Sequence, residues 1–310
     1  MPAPLKFRKK VLLLKTESTY GTDAVPTGAA NAILASNVEI TPLVGEQVTR
    51  ENVQPYLGSR QQLHVGVHVA LEFDVEMAGS GTAVVATKYG PALIACAHAE
   101  VISTNVAYSP VSASEGSCSI YFHLDGQKHA LLGARGTAEW RLNAKAIPII
   151  HFAFKGLYVA PAATADPTPT LSGFTTPKTV GAANTPTFTL HGYAGKLMNF
   201  TLTQGNVVEH LDLVGEQSVQ ITDRRAVGQI VIEAPPLGTK DYFAIARAET
   251  LGVLQIIHNT GAGSICQIDA ANVQLLNPTY QEQSGRVMLS LGLNFVPSSS
   301  GNDEYVYTTK

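Results

Sequence analysis

From His64 to Met77 the chain places Val65, Val67, Val69, Leu71, Phe73, Val75 and Met77 on every second position. His64, His68, Glu72, Asp74 and Glu76 stand among the positions between. A period of two sends alternate side chains to opposite faces of a sheet. The pattern therefore predicts a strand over residues 64–79, with one apolar face and a row of carboxylates on the other. At roughly 3.3 Å per residue it would be about 50 Å long, well beyond the five or six residues of an ordinary strand.

Weaker alternation and turn residues divide the rest of the chain. Residues 1–36 read as an extended arm: a basic start, a short strand at 11–15, then turn chemistry at Pro26 and Gly28. Strands are expected at 37–43 and 44–53 with a kink around Gly45, and a helix at 89–100 with Pro91 in its first turn. Further strands are predicted at 117–124, 137–142 and 147–154. Residues 160–186, rich in Pro, Thr, Ala and Gly and almost free of charge, read as a linker or long loop.

The second half repeats this order. Strands at 197–203 and 206–214, kinked at Gly205, match the pair at 37–53, and 226–235 stands in shortened form where the long strand stood. A helix at 241–250, with Asp241 as its N-cap, precedes strands at 253–258, 271–276 and 286–295. Residue identity between the halves is slight, so the repeat is read from the order of elements.

Composition agrees with a β-rich chain of many turns: 45% of its 310 residues are hydrophobic and only 15% charged. There are 21 basic residues against 24 acidic ones, which gives no general affinity for nucleic acid. Five of the basic residues, Lys6, Arg8, Lys9, Lys10 and Lys15, lie in the first fifteen positions; the remainder carries sixteen against twenty-four, a net of −8. Cys96, Cys118 and Cys266 have no disulfide or zinc spacing, and a reducing cytoplasm is the simpler setting. The apolar run after the basic start is too short for a signal peptide, and none elsewhere approaches the eighteen residues of a membrane span.

Candidate chemistry is sparse. Gly79-Ser-Gly-Thr lacks the ending of a phosphate loop. His64 and His68 would be about 13 Å apart on a strand, too far to share a metal ion. No nucleophile elbow occurs. Glu72 and Asp74, about 7 Å apart, are at a separation glycosidases use, so a carbohydrate-binding or hydrolytic β-sandwich is one alternative. It would need aromatic platforms beside the acids, and Phe73 points the other way. The acidic row fits a water-facing strand surface or the wall of an acid-lined bore. Glu209, Asp212, Glu216 and Glu233 in the corresponding segments of the second half favour the bore. No cofactor or metal is expected.

Several strings carry a family resemblance: residues 16–34 from Thr16-Glu-Ser-Thr-Tyr-Gly to Ala-Ile-Leu, then Ile40-Thr-Pro-Leu, Pro55-Tyr-Leu-Gly, Phe73-Asp-Val-Glu-Met-Ala-Gly-Ser-Gly-Thr and Tyr89-Gly-Pro-Ala-Leu-Ile-Ala-Cys. Together they resemble the major tail tube proteins of long-tailed, siphovirus-type bacteriophages, closely over residues 11–100 and beyond that only in the order of elements. The resemblance implies a mainly β fold: two tandem tail-tube-type β-sandwich or barrel modules, each with one flanking helix, plus the N-terminal arm. The expected organisation is an arm at 1–36 for contact between rings, a first module at 37–160, a linker at 161–190, a second module at 191–297 and a C-terminal tail at 298–310.

The resemblance further implies a non-enzymatic virion protein, assembled in the host cytoplasm, whose rings stack into a tube for double-stranded DNA. With two modules per chain, three chains give a pseudo-sixfold ring; six chains are the alternative. Glu72, Asp74, Glu76, Glu209, Asp212 and Glu233 are the expected lumen acids, which would repel DNA and centre it without specific binding, over the roughly 8 Å that screening permits. Lys6, Arg8, Lys9, Lys10 and Lys15 would belong to the inter-ring arm. Expected partners are further copies of the chain, a tape-measure protein, and baseplate and tail-terminator proteins, with no membrane. A tail terminator or baseplate hub shares the fold and is the other alternative.

Overall fold

A computed structural model describes residues 4–310. The chain is mainly β. In order it forms β1 (Lys10–Thr16), α1 (Gly28–Asn31), β2 (Ala32–Ile33), β3 (Ala35–Thr49), β4 (Gln62–Glu76), α2 (Gly90–Ala95), β5 (His98–Ile102), β6 (Val106–Pro110), β7 (Cys118–Leu124), β8 (Gln127–Asn143) and β9 (Ile149–Tyr158). There follow β10 (Ala162–Ala163), β11 (Thr187–Leu190), β12 (Leu197–Thr203), β13 (Asn206–Leu213), β14 (Glu216–Arg224), β15 (Val227–Glu233), α3 (Tyr242–Arg247), β16 (Gly252–His258), β17 (Cys266–Gln283), β18 (Arg286–Phe295) and β19 (Val306–Thr309). No helix among the described residues is long and apolar enough to cross a membrane.

The long strand forms as its alternation predicts, but only part of it is packed. Val69, Leu71, Phe73 and Val75 are buried. Below Gly66, which takes a left-handed φ of 62°, Leu63 and Val65 are exposed. There β4 and β3 leave the body as a hairpin with an open tip. Bulges flank Gly45 in β3, so the two strands expected at 37–53 are one bent strand.

Two ladders share the chain. One runs β3–β4–β9–β8–β12–β15–β18–β17, antiparallel throughout. The other strands cover its apolar side: β1–β7–β8 at one place and β11–β16–β17 at another. β8 belongs to both, because its first part pairs with β7 and its last five residues with β12. β17 likewise pairs first with β16 and then, beyond Val273, with β18 alone. β3 pairs along the body only with β4. The hairpin β13–β14 stands apart as its own two-stranded sheet.

One continuous core lies between the ladders. Its centre is the joint of β8 and β12, where Trp140 and Leu202 are register partners and both have no exposed surface. Tyr305 and Tyr307 close over Trp140. Tyr307 shares a 2.7 Å hydrogen bond with Tyr89, and Tyr305 a 2.8 Å one with His98. β19 itself pairs with β6 on one side and β17 on the other. The segment read as a C-terminal tail is therefore a buried strand holding the two halves of the chain together.

Other expectations need correction. The helix expected at 89–100 ends at Ala95; Ala97 takes a left-handed φ of 57°, and the β-branched Val101 and Ile102 continue as β5 against β6. The segment read as an arm includes β1, which pairs along its whole length with β7 and buries Leu12, Leu13 and Leu14. The loop at 160–186 lies on the body, with Val180 buried and its amide bonded to Ala146 O at 2.8 Å. The second helix fits its reading, since the Asp241 carboxylate accepts from Ala244 N at 2.9 Å. At Gly205, φ is 70° and an added Cβ would lie 2.2 Å from Arg225 O, so only glycine turns the chain from β12 into β13.

Two measurements test this core. Leu202→Ala is expected to lower the unfolding free energy by about 2–5 kcal/mol, read from the emission of Trp140, the only tryptophan; a loss under half a kcal/mol would place the joint outside the core. Burial pushes the His98 imidazole down from 6.5 to about 4. The unfolded chain thus takes up the proton first, and stability conferred by the neutral ring is present above pH 6.5 and is lost as pH falls towards 4. His98→Gln is expected to flatten stability against pH over that range, and an unchanged slope would contradict the assignment.

Candidate functional site

The face of the longer ladder that points away from the core carries polar side chains in both halves, interspersed with apolar ones such as Ile149, Val231 and Met288. In the first half it carries Glu72, Asp74 and Glu76 on β4, Glu39 on β3 opposite Glu72, His151 on β9 opposite Asp74, and Glu139 and Arg141 on β8. In the second half the same face holds Thr201, Gln229, Asn294 and Gln274 with Glu233 at its end. Charge is therefore concentrated in the first half.

The three acids of β4 are not equivalent. Glu72 is open, with 56% of its side chain exposed, while only 6% of the Asp74 side chain is exposed. Asp74 accepts a hydrogen bond from Asn37 Nδ2 and lies against His151 Nδ1, each at 2.7 Å. The bulge of β3 supplies that partner: Asn37 takes a left-handed φ of 50° and its amide turns onto the carboxylate. His151 Nε2 stands 3.8 Å from Glu72. Glu76 is half-buried at the strand end.

The acids of the second half fall in two places. Glu233 is on the polar face, hydrogen-bonded to Lys196 at 2.9 Å with Arg286 at 3.5 Å, and these cations hold its carboxyl below the usual carboxylate range. Glu209, Asp212 and Glu216 are on the separate hairpin β13–β14. Asp212 accepts from Gly66 N at 3.2 Å, and the neighbouring His210 stacks on His68 with ring centres 4.8 Å apart. This hairpin is thereby fastened to the first half, and Lys155 Nζ adds a bond to Val208 O at 2.7 Å.

The basic residues of the first fifteen are also engaged. Lys9 pairs with Asp125 at 2.8 Å, and the backbone amide of Lys6 bonds the same carboxylate. Lys15 donates to Ala24 O at 2.9 Å, and Lys10 sits over the Phe7 ring. Arg8 is exposed.

Glu39 and Glu139 were missed by sequence reading. Both alternate with apolar neighbours, but only the register of β3, β4, β9 and β8 reveals that they share the acidic face. Phe73 has no exposed surface and faces the core, so it provides no platform for a sugar beside Glu72. No group of three or more potential metal ligands occurs among the described residues.

The family model described as "Phage tail tube protein" matches residues 8–295. A comparison with curated proteins finds no match.

Asp74→Ala is expected to destabilise the fold by about 1–3 kcal/mol, because it leaves Asn37 and His151 without their acceptor. Glu72→Gln is expected to stay within about 0.5 kcal/mol, as an exposed substitution. Urea titration of both variants checks the contrast; equal effects would mean that Asp74 is as free as Glu72.

Proposed function

The chain belongs to the phage tail tube protein family, and from that premise we propose that it is a structural protein of the virion that assembles into rings stacked as a tube, through which double-stranded DNA passes. The observation that carries this reading is the unfinished state of the longer ladder. Its borders, β3 at one side and the last part of β17 at the other, each have a single neighbour. Exposed backbone donors and acceptors on a long strand favour pairing with another chain, and a sheet that closes on itself loses both borders.

The two-module reading is supported by the order of pairing. Inner strands run β3–β4–β9–β8 and then β12–β15–β18–β17, covered by β1–β7 and β11–β16 respectively. In this frame β12 and β13 together answer to β3, and β14 and β15 to β4. The β8–β12 joint is then a contact between modules made inside one chain, and three chains complete a pseudo-sixfold ring; six chains remain the alternative.

With the core side outward, the polar face turns to the passage. Glu39, Glu72, Glu76 and Glu139 would present negative charge to DNA, whose own density of about one charge per 1.7 Å makes the interaction repulsive. Glu209 and Asp212 would reach the passage only at the hairpin, and Glu233 would arrive neutralised. In this reading the basic start would make contact between rings. Tape-measure, baseplate and tail-terminator proteins are the partners such a tube requires.

Negative-stain electron microscopy of the purified protein at high concentration, alone and with its assembly partners, is expected to show rings or tubes with an axial channel. Monomers under every condition would overturn the proposal.

A further inference from the structure

The chain contains one completed joint between its halves, and that joint specifies how a second copy fits. Glu76 and Glu233 occupy matching places: each ends its strand, and the next residue makes the same backbone bond, Met77 N to Pro148 O at 2.8 Å and Ala234 N to Val287 O at 3.0 Å. From this anchor the registers carry one half onto the other. Glu76 opposite Ile149 opposite Arg141 corresponds to Glu233 opposite Met288 opposite Gln281. Trp140 thus corresponds to Tyr280, and Glu139 to Thr279. On the other border, Leu202 corresponds to Ile40 and Thr203 to Thr41, through their partners on β15 and β4.

In the joint that exists, Leu202 lies opposite Trp140 and Thr203 opposite Glu139. We infer that β3 of one copy docks antiparallel on β17 of a second copy with Ile40 opposite Tyr280 and Thr41 opposite Thr279. This rests on the ring reading above and adds to it the partner surface and its register.

Three observations support the inference. Trp140 and Leu202 are fully buried, whereas Tyr280 is 53% exposed and Ile40 only half-buried, so the corresponding pair is apolar surface without its cover. Both borders are broken by a bulge containing a proline, Pro42 between Thr41 and Val44, and Pro278 between Leu276 and Thr279. A proline has no N–H to give to a ladder. In the inferred register the two prolines lie together, directly after the Thr41–Thr279 pair, where Gln204 N to Ala138 O at 2.9 Å closes the joint inside the chain. Pairing therefore stops at the same end on both strands, and a slipped register would place a proline against a strand amide.

The test is a disulfide between Thr41→Cys and Thr279→Cys in one chain, formed by mild oxidation after assembly. Directly opposed residues have Cα atoms about 4.5–5.5 Å apart, within disulfide reach, whereas a shift of two residues takes them to about 7–8 Å. The native Cys96, Cys118 and Cys266 are buried. Thr41→Cys with Gln281→Cys serves as the shifted control, Glu139→Cys with Thr203→Cys as the in-chain one, and Trp140 emission verifies folding of every variant. The expected result is covalent dimers and trimers on a non-reducing gel from the 41/279 pair and at least tenfold less from the shifted pair. Rings that form while 41/279 stays unlinked, or while the shifted pair links better, would overturn this register and leave the ring reading standing. Absence of any assembly by the unmodified protein would remove both.

Discussion

Two long strand borders in the longer ladder lack a partner on one side, and most of the architecture follows from that. Backbone donors and acceptors need partners, and a sheet of this width satisfies nearly all of them while leaving β3 and the end of β17 with one neighbour each. Elsewhere β1 lies on β7 and β19 is inserted between β6 and β17, while the shorter strands β5, β11, β13 and β14 also keep one neighbour each. The prolines at 42 and 278 limit how far the remaining borders can pair, a common restraint on edge strands. The two longest borders are therefore bounded pairing surfaces.

The joint inside the chain is reinforced in ways a joint between copies would not share. β12 joins β8 over Trp140, the C-terminal strand closes above it with Tyr305 and Tyr307, and the β13–β14 hairpin is pinned by His68, Lys155 and Gly66. Gln204 and Asn206 side chains both reach Cys96 O behind α2. The hairpin of β3 and β4, by contrast, projects with Val53 and Leu57 fully exposed at its tip. A ring of such chains would hold two kinds of contact in alternation, one fixed by folding and one formed on assembly.

Much of the fold was legible because it rests on strict periodicity. Val69, Leu71, Phe73 and Val75 fall on alternate positions and all are buried; β12 falls on the segment expected, and Asp241 caps α3. What escaped was sequence whose environment has no period. β14, Glu-Gln-Ser-Val-Gln-Ile-Thr-Asp-Arg, mixes polar residues on both faces because its hairpin packs at the margin of the body. β19 was hidden behind a Ser, Gly and Asn run that reads as a tail, although Tyr305 and Tyr307 beyond it are core residues. Among the acids, alternation located Glu72, Asp74 and Glu76 on one face but could not distinguish them. A bulge one strand away brings Asn37 to Asp74, and neither bulge nor partner is written in the local pattern of β4. Glu39 and Glu139 required the cross-strand register, which only the folded sheet supplies.

In an assembled ring, other copies of the chain would complete the borders of the longer ladder. Amide hydrogen exchange of free and assembled protein reads the backbone groups in question. Strong new protection is expected largely in β3 and in residues 279–283 of β17, with the β8–β12 joint protected in both states. Assembly that leaves β3 and the end of β17 exchanging as in the free chain would rule out completion of these borders by neighbouring copies.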